Sequence, residues 1–309
     1  MKMQSLRKAY GEALVELGKE DERIVVLEAD LGKSTMSSLF GQAYPQRYFE
    51  MGIAEQNMTS FAAGLATCGK IAFTNSFAVF SAGRAYDQIR QGICTAKLNV
   101  KINGSSAGLS DFGDGATHQA VEDIAIMRAL PNMTVLVPMD AVETGKMVRA
   151  AAEHDGPVYI RISRSDLPDL MTGDMEFRIG RPYVVKEGGD IAVFACGGMV
   201  YKALLAAQEL EKAGISLRVV NVSTLKPVDE STVKELARGV RGVVTAEEHS
   251  VVGGLACVIS YILRSEGLPI EPVAIMDSFG QSGHSHEELL DFYGLSEKNI
   301  IDAVKKIMK

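Results

Sequence analysis

Short apolar, β-branched runs alternate with longer amphipathic stretches through nearly the whole 309-residue chain, and that rhythm constrains the fold more than any other feature. The runs at 24–27, 71–73, 100–102, 134–137 and 158–160 are mostly apolar without in-out alternation, as strands covered on both faces are. Helical patterns lie between them at 54–66, 83–96, 120–129 and 142–152. Strand and helix in steady succession imply βαβ units on a mainly parallel sheet. From about 166 to 189 the pattern breaks into Pro, Gly and charged residues, which predicts a linker. A second cycle follows, with strands at 191–195, 217–220, 242–245 and 273–275. Its helices fall at 200–213, 230–237, 253–264 and 286–293. The expectation is two doubly wound α/β domains, each able to bury a core.

In such sheets ligands bind at the carboxyl ends of strands, in loops that enter helices. The loops to watch are 28–34, 49–55, 74–84, 103–118 and 160–164, all in the first domain and placed to converge on one edge. A formal net charge of -7 argues against nucleic acid as the main partner but leaves room for small anions held by a few arginines. Cys68, Cys94, Cys196 and Cys257 form no CxxC pair and read as reduced structural thiols, not a zinc site. The first ten residues are polar and basic, and no run approaches the length of a membrane span. A soluble, cytoplasmic protein is expected.

Glu55 opens the apolar stretch after Gly52-Ile53-Ala54. It admits two readings: an N3 glutamate that bonds back to an N-cap at Gly52, or a buried carboxylate that shares a proton with a ring nitrogen. His118 closes the glycine-rich loop Gly113-Asp114-Gly115-Ala116-Thr117-His118 and is a candidate for catalysis or substrate binding. Phe77 and Phe80, three apart near a strand-to-helix junction, either fill core or form a slot for a flat heterocycle. Arg161 and Arg164 at a strand end could hold an anion. Gly113-Asp114-Gly115 has no suitable Asn downstream to complete a metal motif, and no metal site is expected. Lys33-Ser34-Thr35 lacks the glycine spacing of a P-loop. His249, His284 and His286 read as structural or surface residues.

Taken together, the blocks Gly52-Ile53-Ala54-Glu55-Gln56-Asn57, Ser76-Phe77 with Phe80 and Arg84, and Asp114-Gly115-Ala116-Thr117-His118-Gln119 resemble the transketolase family. The resemblance spans nearly the whole chain and matches the C-terminal half found where the enzyme is split into two subunits. It implies a pyrimidine-binding domain at 1–170, a linker at 171–189 and a transketolase C-terminal domain at 190–309. It implies thiamine diphosphate as cofactor, with Glu55 bonded to N1′ of the aminopyrimidine and starting the proton relay to thiazolium C2. Phe77 and Phe80 match the aromatic pocket, Leu31 the apolar residue near the cofactor's bend, and Asp30 lies beside it. His118 and Asp114 match contacts to the hydroxyls of a ketose donor; Arg7, Ser34 and Arg164 match the holders of the sugar phosphate.

The family's diphosphate-binding domain, with its Mg2+ ligands, falls outside this chain. A separate partner subunit carrying it is therefore implied, two copies of each, with the cofactor between them and a large apolar contact. The activity implied is transfer of a two-carbon ketol unit from a ketose phosphate to an aldose phosphate, without nucleic acid or membrane. A further family aromatic falls at Gly83 here, and a family histidine falls near Gly104 or Ser105. The alternatives are the β subunit of a 2-oxo acid dehydrogenase and a non-catalytic scaffold of the same fold.

Overall fold

A computed structural model describes residues 2–172 and 175–309. Its strands, in chain order, are β1 (Met3–Gln4), β2 (Ile24–Glu28), β3 (Tyr48–Glu50), β4 (Ile71–Phe77), β5 (Val100–Ser105), β6 (Thr134–Leu136) and β7 (Val158–Arg161). There follow β8 (Leu167–Pro168), β9 (Tyr183–Lys186), β10 (Ile191–Ala195), β11 (Leu217–Asn221), β12 (Thr224–Lys226), β13 (Val243–Ser250) and β14 (Ile270–Ile275). The first main sheet runs β12-β6-β7-β5-β4-β2-β3, the second β14-β13-β10-β11-β9. Both are parallel except for one antiparallel edge strand each, β12 and β9. The expected α/β class and both sheets are therefore present.

Parallel strands flanked by helices are buried on both faces, which is why every residue of β2, β4, β5 and β7 is buried. The two domains are not independent. β12 comes from the second domain and pairs with β6 of the first sheet. One apolar cluster runs from Leu6 and Tyr10 through Met139 and Ile162 to Val200 and Ile300. A buried polar knot pins the same boundary: Glu143 accepts bonds from Asn221 Nδ2 at 3.0 and 3.1 Å, the Tyr183 hydroxyl at 3.0 Å and Met139 N at 2.7 Å.

Three features differ from expectation. The stretch 171–189, read as linker, contains β9, an edge strand of the second sheet; its residues 173 and 174 lie outside the described residues. Two terminal helices, Leu6–Glu20 and Glu297–Met308, are added at the ends; their surface charge masks the pattern, although Leu6, Tyr10, Leu14 and Leu17 form a buried stripe at helical spacing. The helix expected over 83–96 is instead two wide π-helical turns, Phe80–Arg84 and Ile89–Cys94, around a short α-turn. Such turns occur frequently at functional sites. No helix among the described residues is long and apolar enough to cross a membrane.

Candidate active site

Because β2, β3, β4, β5 and β7 are parallel neighbours, their carboxyl ends share one edge. The chain leaving β3 turns at Gly52, whose φ of +67° is costly for any side-chain-bearing residue. The helix Glu55–Thr67 then begins at Glu55 itself, after Ala54. Gly52 is thus not the N-cap and Glu55 is not an N3 glutamate bonding back to it. The helix starts later, and the carboxylate points into the edge instead.

Glu55 is only 4% exposed. Its Oε1 accepts from Arg84 Nη1 at 3.2 Å and from Ser76 Oγ at 3.4 Å, while the described residues offer Oε2 no hydrogen-bond donor. The π-helical turn Phe80–Arg84 brings its two ends to one side, so the Arg84 guanidinium lies 4.0 Å from the Phe80 ring centroid as it reaches Glu55. Phe77 and Phe80 stack with centroids 6.1 Å apart and planes 17° from parallel. His118 meets both rings edge-on, at 6.2 and 5.3 Å. Phe80 and His118 are half-buried, leaving this aromatic wall partly open beside the carboxylate. A flat heterocycle with a ring nitrogen fits such a wall: the rings offer stacking surface and Oε2 an unused acceptor.

A second cluster lies along the same edge and gathers two arginines and two aspartates. Arg7 Nη1 donates to the Ser34 carbonyl at 2.9 Å, and its buried Nε has no partner among the described residues. Burial, then repulsion from nearby Arg164, lowers the Arg7 pKa from its usual value. Arg164 Nη1 donates to Asp111 Oδ1 at 2.7 Å and lies 3.9 Å from Asp114 Oδ2. Burial raises the Asp111 carboxyl against the pull of Arg164, and neighbouring Asp114 pushes it the same way. Arg7, Ser34, Arg164 and Asp114, scattered in sequence, are therefore neighbours. His118 shares the loop of Asp114 and faces the aromatic wall, so that loop joins the two clusters.

Asp30 and Leu31 stand on the loop after β2. Asp30 N donates to Glu50 Oε1 at 2.8 Å, and Asp30 takes a left-handed φ of 61°. The loop is held from below by Glu28. Its Oε1 accepts from Ala29 N and Leu31 N at 3.0 and 3.2 Å, and its Oε2 accepts from Thr35 and Ser37 hydroxyls at 2.7 and 2.5 Å. Burial outweighs these four donors and raises the Glu28 carboxyl to about 7.

Arg161 does not join the anion cluster. It is buried, paired through Nε with Asp123 at 2.8 Å, and its Nη2 donates to the Ala120 and Glu248 carbonyls. A strand-end arginine pointing under the sheet edge is taken up by its own fold. Sequence reasoning gave no role to Arg84, Asp111 or Glu28. The four-residue step from Phe80 to Arg84 is a usable signal; Glu28 and Asp111 lie within the loops 28–34 and 103–118, with nothing in the local pattern to single them out. Among the described residues no group of three His, Cys, Asp or Glu side chains could hold a metal ion.

Known proteins resemble this chain along nearly its whole length. Residues 2–169 match the family model described as transketolase, pyrimidine binding domain, and residues 180–300 match transketolase, C-terminal domain. A protein of Methanocaldococcus jannaschii named as a transketolase C-terminal section is 44% identical, covering 98% of this chain and 96% of that one. A 6-deoxy-6-sulfo-D-fructose transketolase subunit from a Clostridium species is 40% identical, covering 98% and 94%. A solved structure described as a split-gene transketolase in an inactive β4 tetramer is 50% identical, with a TM-score of 0.90 and 98% of each chain covered.

Proposed function

This chain belongs to the transketolase family, matching its C-terminal section end to end, and we propose that it works as one subunit of a split, thiamine-diphosphate-dependent transketolase. It holds the pyrimidine end of the cofactor and acts only with a partner subunit that carries the diphosphate-binding domain and the Mg2+ ligands. The pair moves a two-carbon ketol unit from a ketose phosphate to an aldose phosphate. The observation that carries this reading is the buried Glu55 carboxylate with an unused Oε2 beside the Phe77, Phe80 and His118 rings.

Thiamine diphosphate, when bound, supplies the carbon nucleophile and electron sink that side chains lack. Glu55 holds a proton at N1′ of the aminopyrimidine, and Arg84 keeps that carboxylate in place. Phe80, with Phe77 stacked on it, would supply the aromatic wall for the ring, and Leu31 and Asp30 would hold the cofactor from the neighbouring loop. His118 and Asp114 bond the hydroxyls of the ketose, and Arg7, Arg164 and the Ser34 turn hold its anionic end. The Clostridium relative is named for a sulfonated sugar, so the anion need not be a phosphate in every member.

A partner surface is available next to Glu55. Ile53 is 74% exposed and Phe61 43% exposed on and before the same helix, and Phe61 packs on Phe49 at 5.7 Å. Large apolar side chains beside a half-built cofactor site suit a second chain that covers both. The experiment is reconstitution with a chain carrying the diphosphate-binding domain, followed by a ketol-transfer assay with thiamine diphosphate and magnesium. Transfer by the pair and none by this chain alone is the expected result. A reconstituted pair that binds the cofactor yet transfers no ketol unit, or that releases carbon dioxide from a 2-oxo acid instead, overturns it.

A further inference from the structure

The loop that carries Asp111, Asp114 and His118 is tied to the first domain through Ile162 and Arg164 and to the second domain at three points. At its root, Leu109 N donates to Glu248 Oε1 at 2.6 Å, and His286 Nε2 lies 3.0 Å from the same oxygen. Glu248 lies within the run of buried residues in β13, and His286 opens the helix His286–Phe292. Midway, Gly283 N donates to the Phe112 carbonyl at 2.8 Å. At its far end, Gln119 Nε2 donates to the Gln281 carbonyl at 3.0 Å and to the Asp111 carbonyl at 3.2 Å. Gly108, with φ +65°, is where the chain passes Glu248: a Cβ there would sit 2.3 Å from Oε1. The loop and the carboxylate are thus fitted with no room to spare.

We propose that Glu248 and His286 are positioning residues of the sugar site, so that the second domain sets the geometry in which Asp114 and His118 meet the substrate and Asp111 holds Arg164. This rests on the reading of those loop residues given above. A carboxylate serving only its own domain would spend its bonds there; Glu248 Oε1 spends one on the first domain, at the root of the functional loop. His286 fixes the carboxylate in turn. Burial alone would lower the His286 pKa, but Glu248 beside it holds it above the ordinary value, and Glu287 adds to that against Lys202. Leu109 N and His286 Nε2 thus meet the same carboxylate oxygen, so the root of the loop and the His286 helix are tied through one acceptor.

The test uses the reconstituted complex with Glu248→Ala, Glu248→Gln and His286→Gln. Loosening the loop misplaces substrate contacts without touching Glu55. The expected result for Glu248→Ala is a KM for the ketose donor raised about tenfold, kcat within about threefold, and thiamine diphosphate affinity unchanged. Glu248→Gln, whose amide oxygen still accepts from Leu109, returns KM to within about twofold of wild type, and His286→Gln raises it about threefold. Hydrogen exchange of residues 109–119 accelerates in Glu248→Ala, read on this chain whether or not the complex is active. Wild-type KM in folded Glu248→Ala, or equal losses in kcat, KM and cofactor affinity, overturns the proposal. So does unchanged exchange in the loop. If Glu248→Ala fails to fold, His286→Gln decides by the same KM and exchange readouts. An inactive wild-type complex counts against the proposed function, and loop exchange still decides this inference.

Discussion

Replacing Glu28 by Gln should remove a pH dependence from the stability of this chain. The carboxyl is fully buried under the loop that carries Asp30, Leu31 and Ser34, and its pKa rises from 4.5 to about 7 because burial penalises the charge. The folded state therefore keeps this proton where the unfolded state loses it. Stability from this group is complete below pH 4.5, falls as pH rises towards 7, and is flat above. The full loss is on the order of 3 kcal/mol, and about 2–3 kcal/mol of it lies between pH 5 and pH 8. Gln matches the neutral acid in shape. Its oxygen can accept from Ala29 N and Leu31 N, and the Thr35 and Ser37 hydroxyls can turn to accept from its nitrogen. Other buried groups titrate in the same range: Glu247, raised to about 7 by burial, with the same sign, and His249, lowered to about 4 by burial, with the opposite sign. The informative quantity is therefore the difference between wild type and variant. Urea unfolding at pH 5, 6, 7 and 8 measures it. Wild type should lose about 2–3 kcal/mol relative to Glu28→Gln across that range; parallel stability curves would refute the buried-acid account.

Two further outcomes follow from the site. Arg164→Leu should raise KM about tenfold or more for a ketose phosphate and leave the same ketose without its phosphate nearly unaffected; equal effects on both would remove Arg164 from the anion site. Ile53→Asp should abolish assembly with the partner subunit in size-exclusion chromatography while the isolated chain keeps its circular dichroism, because Ile53 is exposed and its loss leaves no cavity; normal assembly would place the interface elsewhere.

The alternation of apolar runs and amphipathic stretches was enough to read the α/β class and most of the strands. Edge features were harder. β9 lies in a stretch rich in Pro, Gly and charge, and only its pairing with β11 across the fold reveals it as a strand. The Phe80–Arg84 turn was invisible as a π-helical element because its residues also suit an α-helix. In the site, Glu55, Phe77, Phe80 and His118 were legible since each stands in a short distinctive block. Arg161 and Arg164 look alike in sequence, three residues apart at one strand end. Asp123 captures the first inside the fold and Asp111 meets the second at the edge, which no local pattern could announce. Glu248 and His286 lie far from the loop they hold, so only the packed domains show their connection to it.

The most direct test of the central claim is exchange of the thiamine diphosphate C2 proton for deuterium in the reconstituted complex, comparing wild type with Glu55→Gln. If this chain supplies the activating carboxylate, the variant should still bind the cofactor and assemble with its partner, yet exchange roughly 10²–10⁴ times more slowly. Exchange at the wild-type rate in an assembled, cofactor-loaded Glu55→Gln complex would contradict the account.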